Sequence, residues 1–440
     1  MKRDYRHQAS CAAQRRRCIG VWTTAFLLAL LPKATSLAQQ PTADQLTAKP
    51  TTRATSVRRP LTQPTSRPAA RPTLSPAEYE ALAGSLRAAY LQKPEKWPSP
   101  TTDPGVEYVE LGLLRRPEHP KENPFSEAKA ELGKILFFDP RLSGSSQIAC
   151  ASCHEAELGW GDGRAVSFGH ARSPLKRNAP MLTNIGLRQS LFWDGRSPTL
   201  EAQAAEPIAA SDEMAGDNTE VVKRLSAEPE YRRRFAESFG DDSITIERIA
   251  KAIATYERTI VSRPSAFDKF LIGEPEALSD AAVRGLHLFR TDARCANCHM
   301  GPTFSDEKFH NVGLSYYGRT LEDLGRYRIT KDPKDVGAFK TPSLRNLPRT
   351  APYMHNGLFD LTGVLNMYNA GMPTLRRKPD QAEDPLFPTK SPLLKPLQLN
   401  RHDLDDLRAF LDSLSEVRLR VRPPALPGKA PAAPAGEDVE

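Results

Sequence analysis

Cys150-Ala151-Ser152-Cys153-His154 and Cys295-Ala296-Asn297-Cys298-His299 are two copies of one C-x-x-C-H pattern in a chain of 440 residues. That spacing attaches a c-type haem. The two thiols add to the porphyrin vinyl groups as thioethers, and the adjoining histidine is held where its imidazole takes an axial position on iron. C-x-x-C alone also serves zinc sites and thioredoxin-like redox pairs. Here both copies carry the histidine, about 145 residues separate them, and neither lies in a βαβ pattern, so zinc and dithiol chemistry fit less well. The pattern predicts two covalent haems, anchored at Cys150, Cys153, Cys295 and Cys298 and ligated by His154 and His299.

The N-terminus reads as an export signal. Lys2, Arg3, Arg6 and Arg15 to Arg17 precede an apolar run over 19–31, and Ser36-Leu37-Ala38 supplies small residues for cleavage. The run is shorter than the ~20 residues of a membrane span, although an uncleaved anchor is the alternative. Covalent haem must be attached to an unfolded chain outside the cytoplasm, which favours the general export route and a periplasmic destination. Cleavage after Ala38 removes seven basic residues and one acid, so the formal charge of +8 falls by six to +2. The mature chain has no basic patch interleaved with aromatics, and no nucleic-acid partner is expected. Cys11 and Cys18 leave with the signal. The four remaining cysteines are the two haem pairs, which leaves none for a structural disulfide and supports the haem reading independently.

Residues 39–74 are rich in Pro, Thr, Ala and Arg and poor in large apolar groups, so a disordered linker is expected there, and the same composition predicts a disordered tail over 422–440. Helical signals dominate the intervening core. Ser75-Pro76-Ala77-Glu78 is a capping box opening a helix to about Leu91. Ile246, Ile249, Ile253, Tyr256 and Ile260 form one apolar stripe, and Asn400 caps a last helix with Leu404, Leu407, Leu411 and Leu414 on its buried face. Strand patterns are scarce, and Pro and Gly over 302–352 predict long ordered loops. Each C-x-x-C-H follows a short helical segment, over 124–138 and 280–290, a weak internal repeat. The expected fold is mainly α, with two cytochrome-c-like domains over 75–265 and 266–421, each carrying one haem.

Further motifs join these: Gly133 to Ser143 (GKILFFDPRLS), Arg177-Asn178-Ala179-Pro180, Phe192-Trp193-Asp194-Gly195-Arg196, Thr341-Pro342-Ser343-Leu344-Arg345-Asn346 and Pro352-Tyr353-Met354-His355-Asn356-Gly357. In order and spacing the chain over about 132–414 resembles the bacterial di-haem cytochrome c peroxidases and their MauG-type relatives. The resemblance implies that the N-terminal haem, on His154, meets hydrogen peroxide and that the C-terminal haem, on His299, stores or relays electrons. It places an acid/base glutamate at Glu213, a pocket glutamine at Gln203, with Phe192 and Pro207 shaping the same pocket, and an inter-haem relay at Trp193. Peroxide cleavage requires a proton moved between its oxygens, so a carboxylate over the haem is chemically expected.

The same resemblance makes His170 a candidate distal ligand of the first haem; an ordinary loop histidine is the alternative, and the loop around it departs from the classical members' pattern. It puts Tyr368 at the distal position of the second haem, where classical peroxidases have methionine and MauG-type proteins tyrosine. Met367 is the alternative, with Met354 and Met372 behind it; neighbours about 100° apart on a helix cannot both reach iron. A calcium ion between the domains is implied at Asn178, Thr350 and Pro352. His119, His287, His310, His355 and His402 receive no role, His355 standing nearest to one because it lies in a matched motif.

Three functions compete at this level. The first is a peroxidase reducing hydrogen peroxide to water with electrons from a small redox protein, a cytochrome c or cupredoxin. The second is a MauG-like enzyme that uses the oxidised haem pair on a protein or small organic substrate, which Tyr368 favours. The third is a non-enzymatic electron carrier, against which Glu213 and Gln203 speak. A homodimer is an assembly the sequence leaves open.

Overall fold

Most of the described α-helices begin where the sequence supplies a side-chain cap. The computed structural model describes residues 71–416 and 420–428; the signal expected over 1–38 and most of the expected linker lie outside them. Ser75 and Glu78 form the reciprocal capping box that opens α1 (Pro76–Tyr90). Then come α2 (Glu127–Phe137), α3 (Leu200–Ala209), α4 (Asn218–Ser226), α5 (Pro229–Phe239), α6 (Ile246–Glu257), α7 (Ala266–Leu271), α8 (Asp280–Arg290), α9 (Tyr327–Thr330), α10 (Leu361–Asn369) and α11 (Arg401–Asp412). Asn400 caps α11, as its sequence predicts, and Asp403 completes a capping box there. The regular sheet among the described residues is one antiparallel pair, β1 (Phe309–His310) on β2 (Phe339–Lys340), with Phe309 opposite Lys340. No described helix is long and apolar enough to cross a membrane.

The internal repeat has a structural counterpart. Helix α2, ahead of the first C-x-x-C-H, crosses α6 at Gly133, where any Cβ would fall on the Ala252 carbonyl oxygen. Helix α8, ahead of the second, crosses α11 at Gly285, where a Cβ would fall on the Asp406 carbonyl oxygen. Each motif therefore hangs from a helix pair whose backbones approach closely because a glycine sits at the crossing. Two apolar cores surround the two crossings. Leu132, Leu136 and Phe137 of α2 with Ile249 and Ile253 of α6 anchor the first, and Val283, Leu286 and Phe289 of α8 with Leu407 and Phe410 of α11 anchor the second.

Chain order and packing part company at both ends. Leu86, Tyr90, Trp97 and Leu111 pack in the second core, although their position before residue 265 suggests the first. Burial decides this: Tyr90 bonds His287 of α8 at 3.0 Å, and the buried Arg290 guanidinium reaches back to the Tyr90 hydroxyl and the Pro98 carbonyl. Residues 71–74 of the expected linker are likewise tied down, with Arg71 Nη1 2.6 Å from Asp292 and the Asn400 side chain donating to the Pro72 carbonyl. Within the expected tail, which begins at residue 422, Leu426 packs on the first core beside Val421, and Arg141 donates to the Pro427 carbonyl at 2.9 Å.

Candidate functional site

Both C-x-x-C-H segments fold as one 3₁₀ turn, Cys150–Ser152 and Cys295–Asn297. The turn returns each histidine N–H to the first cysteine carbonyl, at 3.0 Å for His154 and 2.8 Å for His299. Each imidazole then meets a carbonyl oxygen through Nδ1, His154 on Trp160 at 2.8 Å and His299 on Phe304 at 2.9 Å. A carbonyl can only accept, so Nδ1 carries the proton and Nε2 keeps its lone pair. Burial holds the pKa of both imidazoles below the ordinary histidine value, which preserves the neutral, metal-binding form. The four cysteines are free and half-buried. Two thiols and an oriented, neutral imidazole in each turn are the donor set that a c-type haem requires.

The second turn opens on a cavity of about 260 Å³ bordered by Cys295, Cys298, His299, Trp193, Leu365 and Tyr368. Helix α10 turns Tyr368 into it, and burial followed by the Cys298 and Cys295 thiols pushes the phenol pKa up. Met367 is not among the bordering residues, whereas Met354 is; Met372 is buried.

Around the first turn the loop over 167–175 and the segment after α3 are pressed together. The His170 N–H donates to the Glu213 carbonyl at 2.7 Å, and a Cβ at Gly169 would fall on the Asp212 carbonyl. The structure thus brings His170 and Glu213 together. The His170 Nδ1 atom is buried with no hydrogen-bond partner. The Glu213 carboxyl is raised above its ordinary value by burial, with Asp212 and Glu206 adding and the Arg196 guanidinium opposing. Its charge is felt at both Cys150 and Cys153. Gln203 stands half-buried on α3, one turn before Pro207. Phe192 packs on the first core, borders the second cavity and carries the Arg196 guanidinium 3.3 Å over its ring.

Trp193 borders the second cavity. Its Nε1 donates to the Asn178 carbonyl at 2.9 Å, its ring meets His355 edge-on at 6.5 Å, and its own carbonyl accepts from Lys340 N at 2.8 Å. Asn178 is bonded through its N–H to the His355 carbonyl at 2.8 Å, so residues 178 and 352–355 are neighbours. Thr350 borders the cavity and Pro352 is half-buried. One lone pair of the Asn178 carbonyl is taken by Trp193, which leaves one for a cation.

Sequence reasoning passed over several residues that the fold brings to the second cavity. His310 borders it and bonds Asp306 at 2.7 Å; with Cys298 these form the cluster whose ligand atoms lie within 4.8 Å of one another, though a thioether-forming Cys298 is not free to bind a metal. Arg188, its side chain largely enclosed, and the buried Lys340 border it too. Lys340 immediately precedes the Thr341-Pro342-Ser343 motif, a usable signal; Arg188 has none.

Known proteins resemble this chain in sequence and in fold. The sequence profile of the di-haem cytochrome c peroxidases matches residues 127–276. The chain is 41% identical over 325 residues to the methylamine utilization protein MauG of Methylorubrum extorquens, covering 71% of this chain and 86% of that protein. It is 38% identical over 349 residues to the cytochrome-c peroxidase IdrP1 of Pseudomonas sp. strain SCT, covering 72% and 88%. Among solved structures it superposes on a MauG-like protein associated with microbial copper homeostasis with a TM-score of 0.62 at 34% identity, covering 69% of this chain and 93% of that one. The chain belongs to the di-haem cytochrome c peroxidase and MauG family and is a peroxidase-like oxidoreductase.

Proposed function

We propose that this protein is an exported, periplasmic enzyme that reduces hydrogen peroxide to water, with haem c attached at Cys150 and Cys153 and at Cys295 and Cys298. When bound, haem iron supplies the centre at which the peroxide O–O bond is cleaved and the store from which its electrons come. The chain's own residues do the rest. His154 and His299 present Nε2 as ligand atoms. Glu213 takes the proton from one peroxide oxygen and returns it to the other, a task suited to a carboxyl whose pKa burial has raised toward the working pH. Gln203 and Phe192 confine the oxidant, and Trp193 carries electrons from the second site to the first. His170 is the distal group that must withdraw before peroxide enters. Tyr368, which borders the second cavity, would supply a ligand oxygen to the haem there, and carbonyl oxygens of Asn178, Thr350 and Pro352 would hold a calcium ion. The donor is a small redox protein, a cytochrome c or cupredoxin, and a homodimer is the assembly proposed.

One observation carries the reading: Glu213, a half-buried carboxyl whose pKa burial raises, holds the His170 N–H on its backbone carbonyl at 2.7 Å. A plain electron carrier has no use for it. Rapid turnover of one equivalent of peroxide with a reduced cytochrome or cupredoxin supports the peroxidase. A MauG-like activity on a protein or organic substrate is the second reading, favoured by Tyr368 at the cavity. A long-lived doubly oxidised state without donor turnover supports it instead. No spectral response to peroxide sinks both.

A further inference from the structure

The wall of the second cavity is electrically lopsided. Four lysine and arginine side chains border it, Arg188, Arg294, Lys340 and Lys395, besides His310, which is paired with Asp306, and no aspartate or glutamate does. Buried cations require countercharge, and two carboxylates behind the wall are shared among the four. Asp103 serves Arg294 and Lys395; Lys395 is half in water, with 53% of its side chain exposed, so solvent supplies what Asp103 does not. Glu307 serves Arg188 and Lys340, and there water gives no help: the side chains of Arg188, Lys340 and Glu307 are 7%, 9% and 8% exposed.

Glu307 serves its two cations poorly. Its Oε1 lies 2.9 Å from Arg188 Nη1, yet both atoms lack a properly directed hydrogen bond, and its Oε2 is 3.9 Å from Lys340 Nζ. Lys340 Nζ otherwise donates to the Ser190 carbonyl, a neutral acceptor. Burial, with Arg188 adding, pushes the Lys340 pKa down to about 7. A second anion on the cavity side would complete the site.

We propose that Arg188 and Lys340 receive the propionate carboxylates of the haem bound at Cys295 and Cys298. The inference rests on the reading that this cavity holds that haem. It assigns the two cations a positioning role and gives the halves of the chain a shared anchor. Arg188 comes from the first half and donates to the Thr341 carbonyl at 2.6 Å; Lys340 comes from the second and donates its N–H to Trp193 at 2.8 Å. The acid groups of the haem thereby sit against the backbone of the relay tryptophan, and seating the haem fixes Trp193 relative to it.

The test uses full-length exported holoprotein carrying haem labelled with ¹³C at the propionates. Covalent haem is counted by mass spectrometry, labelled carboxylate bands are read in redox-difference infrared spectra, and the midpoint of the second haem is titrated. In Lys340→Met the labelled bands move. Loss of a cation also favours ferric iron, so the reduction equilibrium falls on the order of tenfold, about 59 mV for a one-electron couple. Lys340→Arg restores both, and Lys269→Met on the exposed face of α7 moves neither. Arg188→Lys, which keeps the charge and loses the planar fork, shifts the bands and serves where Lys340→Met does not accumulate. Labelled bands and midpoint unchanged in Lys340→Met and Arg188→Lys, both haems present, overturn the inference. Wild-type protein without haem at Cys295 and Cys298 overturns the reading beneath it instead.

Discussion

The Nδ1 atom of His154 lies 2.8 Å from the carbonyl oxygen of Trp160, and Trp160 holds a left-handed backbone with φ of 62°. The second site repeats the device with His299 and Phe304, at 2.9 Å and φ of 56°. A bulky residue in this region costs on the order of 1–3 kcal/mol and persists only where its surroundings enforce it. Both aromatics are buried, so packing holds each carbonyl against its imidazole. The hydrogen bond then fixes the tautomer and the ring plane before any metal arrives, which is how an outer partner tunes a ligand.

Tyr368 and Met367 are separable by spectroscopy. Tyr368 borders the second cavity and Met367 does not. Tyr368→Phe therefore alters the absorption and electron-spin-resonance spectrum of one haem and leaves the other unchanged, while Met367→Leu, a substitution of similar volume costing less than about 1.5 kcal/mol, alters neither. An unaltered Tyr368→Phe spectrum removes the ligand assignment.

Glu213→Gln keeps the shape of the side chain and removes its capacity to move a proton. Peroxide turnover should fall by on the order of 10²- to 10⁴-fold, with haem content and resting spectra unchanged. Because burial raises the Glu213 carboxyl above its ordinary value, the acidic limb of the wild-type kcat/KM profile belongs above the usual carboxylate range, with activity lost as pH falls through it. Stopped-flow peroxide kinetics across pH check both outcomes, and a limb at an unperturbed carboxylate value removes Glu213 as the base.

Features whose cause is local were legible in the chain. The box at Ser75, the cap at Asn400 and the two C-x-x-C-H turns each depend on residues a few positions apart. Features made by distant residues were not. Tyr90 joins the second core through partners about 200 positions away, and Arg188 meets Thr341 across 153; no spacing rule announces such meetings. Composition over 422–440 does not announce the packing of Leu426 on the first core, because average polarity hides a single apolar side chain. His355 is an intermediate case: its motif flagged it, but only the fold shows it stacked on Phe339 at 3.6 Å with Trp193 at its edge.

That packing makes His355 an acid-sensitive element. Burial pushes its pKa down to about 4 from 6.5, so the unfolded chain binds a proton at a higher pH than the folded one does. Its contribution is fully present above pH 6.5 and is lost as pH falls toward 4, by roughly 2 kcal/mol at pH 5. His355→Phe keeps an aromatic ring on Phe339 and removes the proton. Urea unfolding at pH 7 and pH 5 should show the variant losing about 2 kcal/mol less than wild type over that interval; equal losses contradict the buried neutral state.

Arg345, in the Thr341-to-Asn346 motif, is structural. Its Nη1 contacts both carboxylate oxygens of Asp268 at 2.8 and 2.6 Å, its Nε donates to the Pro302 carbonyl and its Nη2 to that of Gly112. The pair is 1% and 8% exposed. Asp268 is also the N3 residue of the capping box that opens α7, so one guanidinium joins three separate stretches of the second core. Arg345→Met leaves a buried carboxylate without its partner and should cost about 3–5 kcal/mol. Adding Asp268→Leu removes that orphaned charge along with the cap. If the cost lies in the unpaired charge, the double variant recovers most of the loss in chemical denaturation; if it lies in the two severed backbone links, recovery is absent and the motif's arginine acts as a tie rather than a counter-ion.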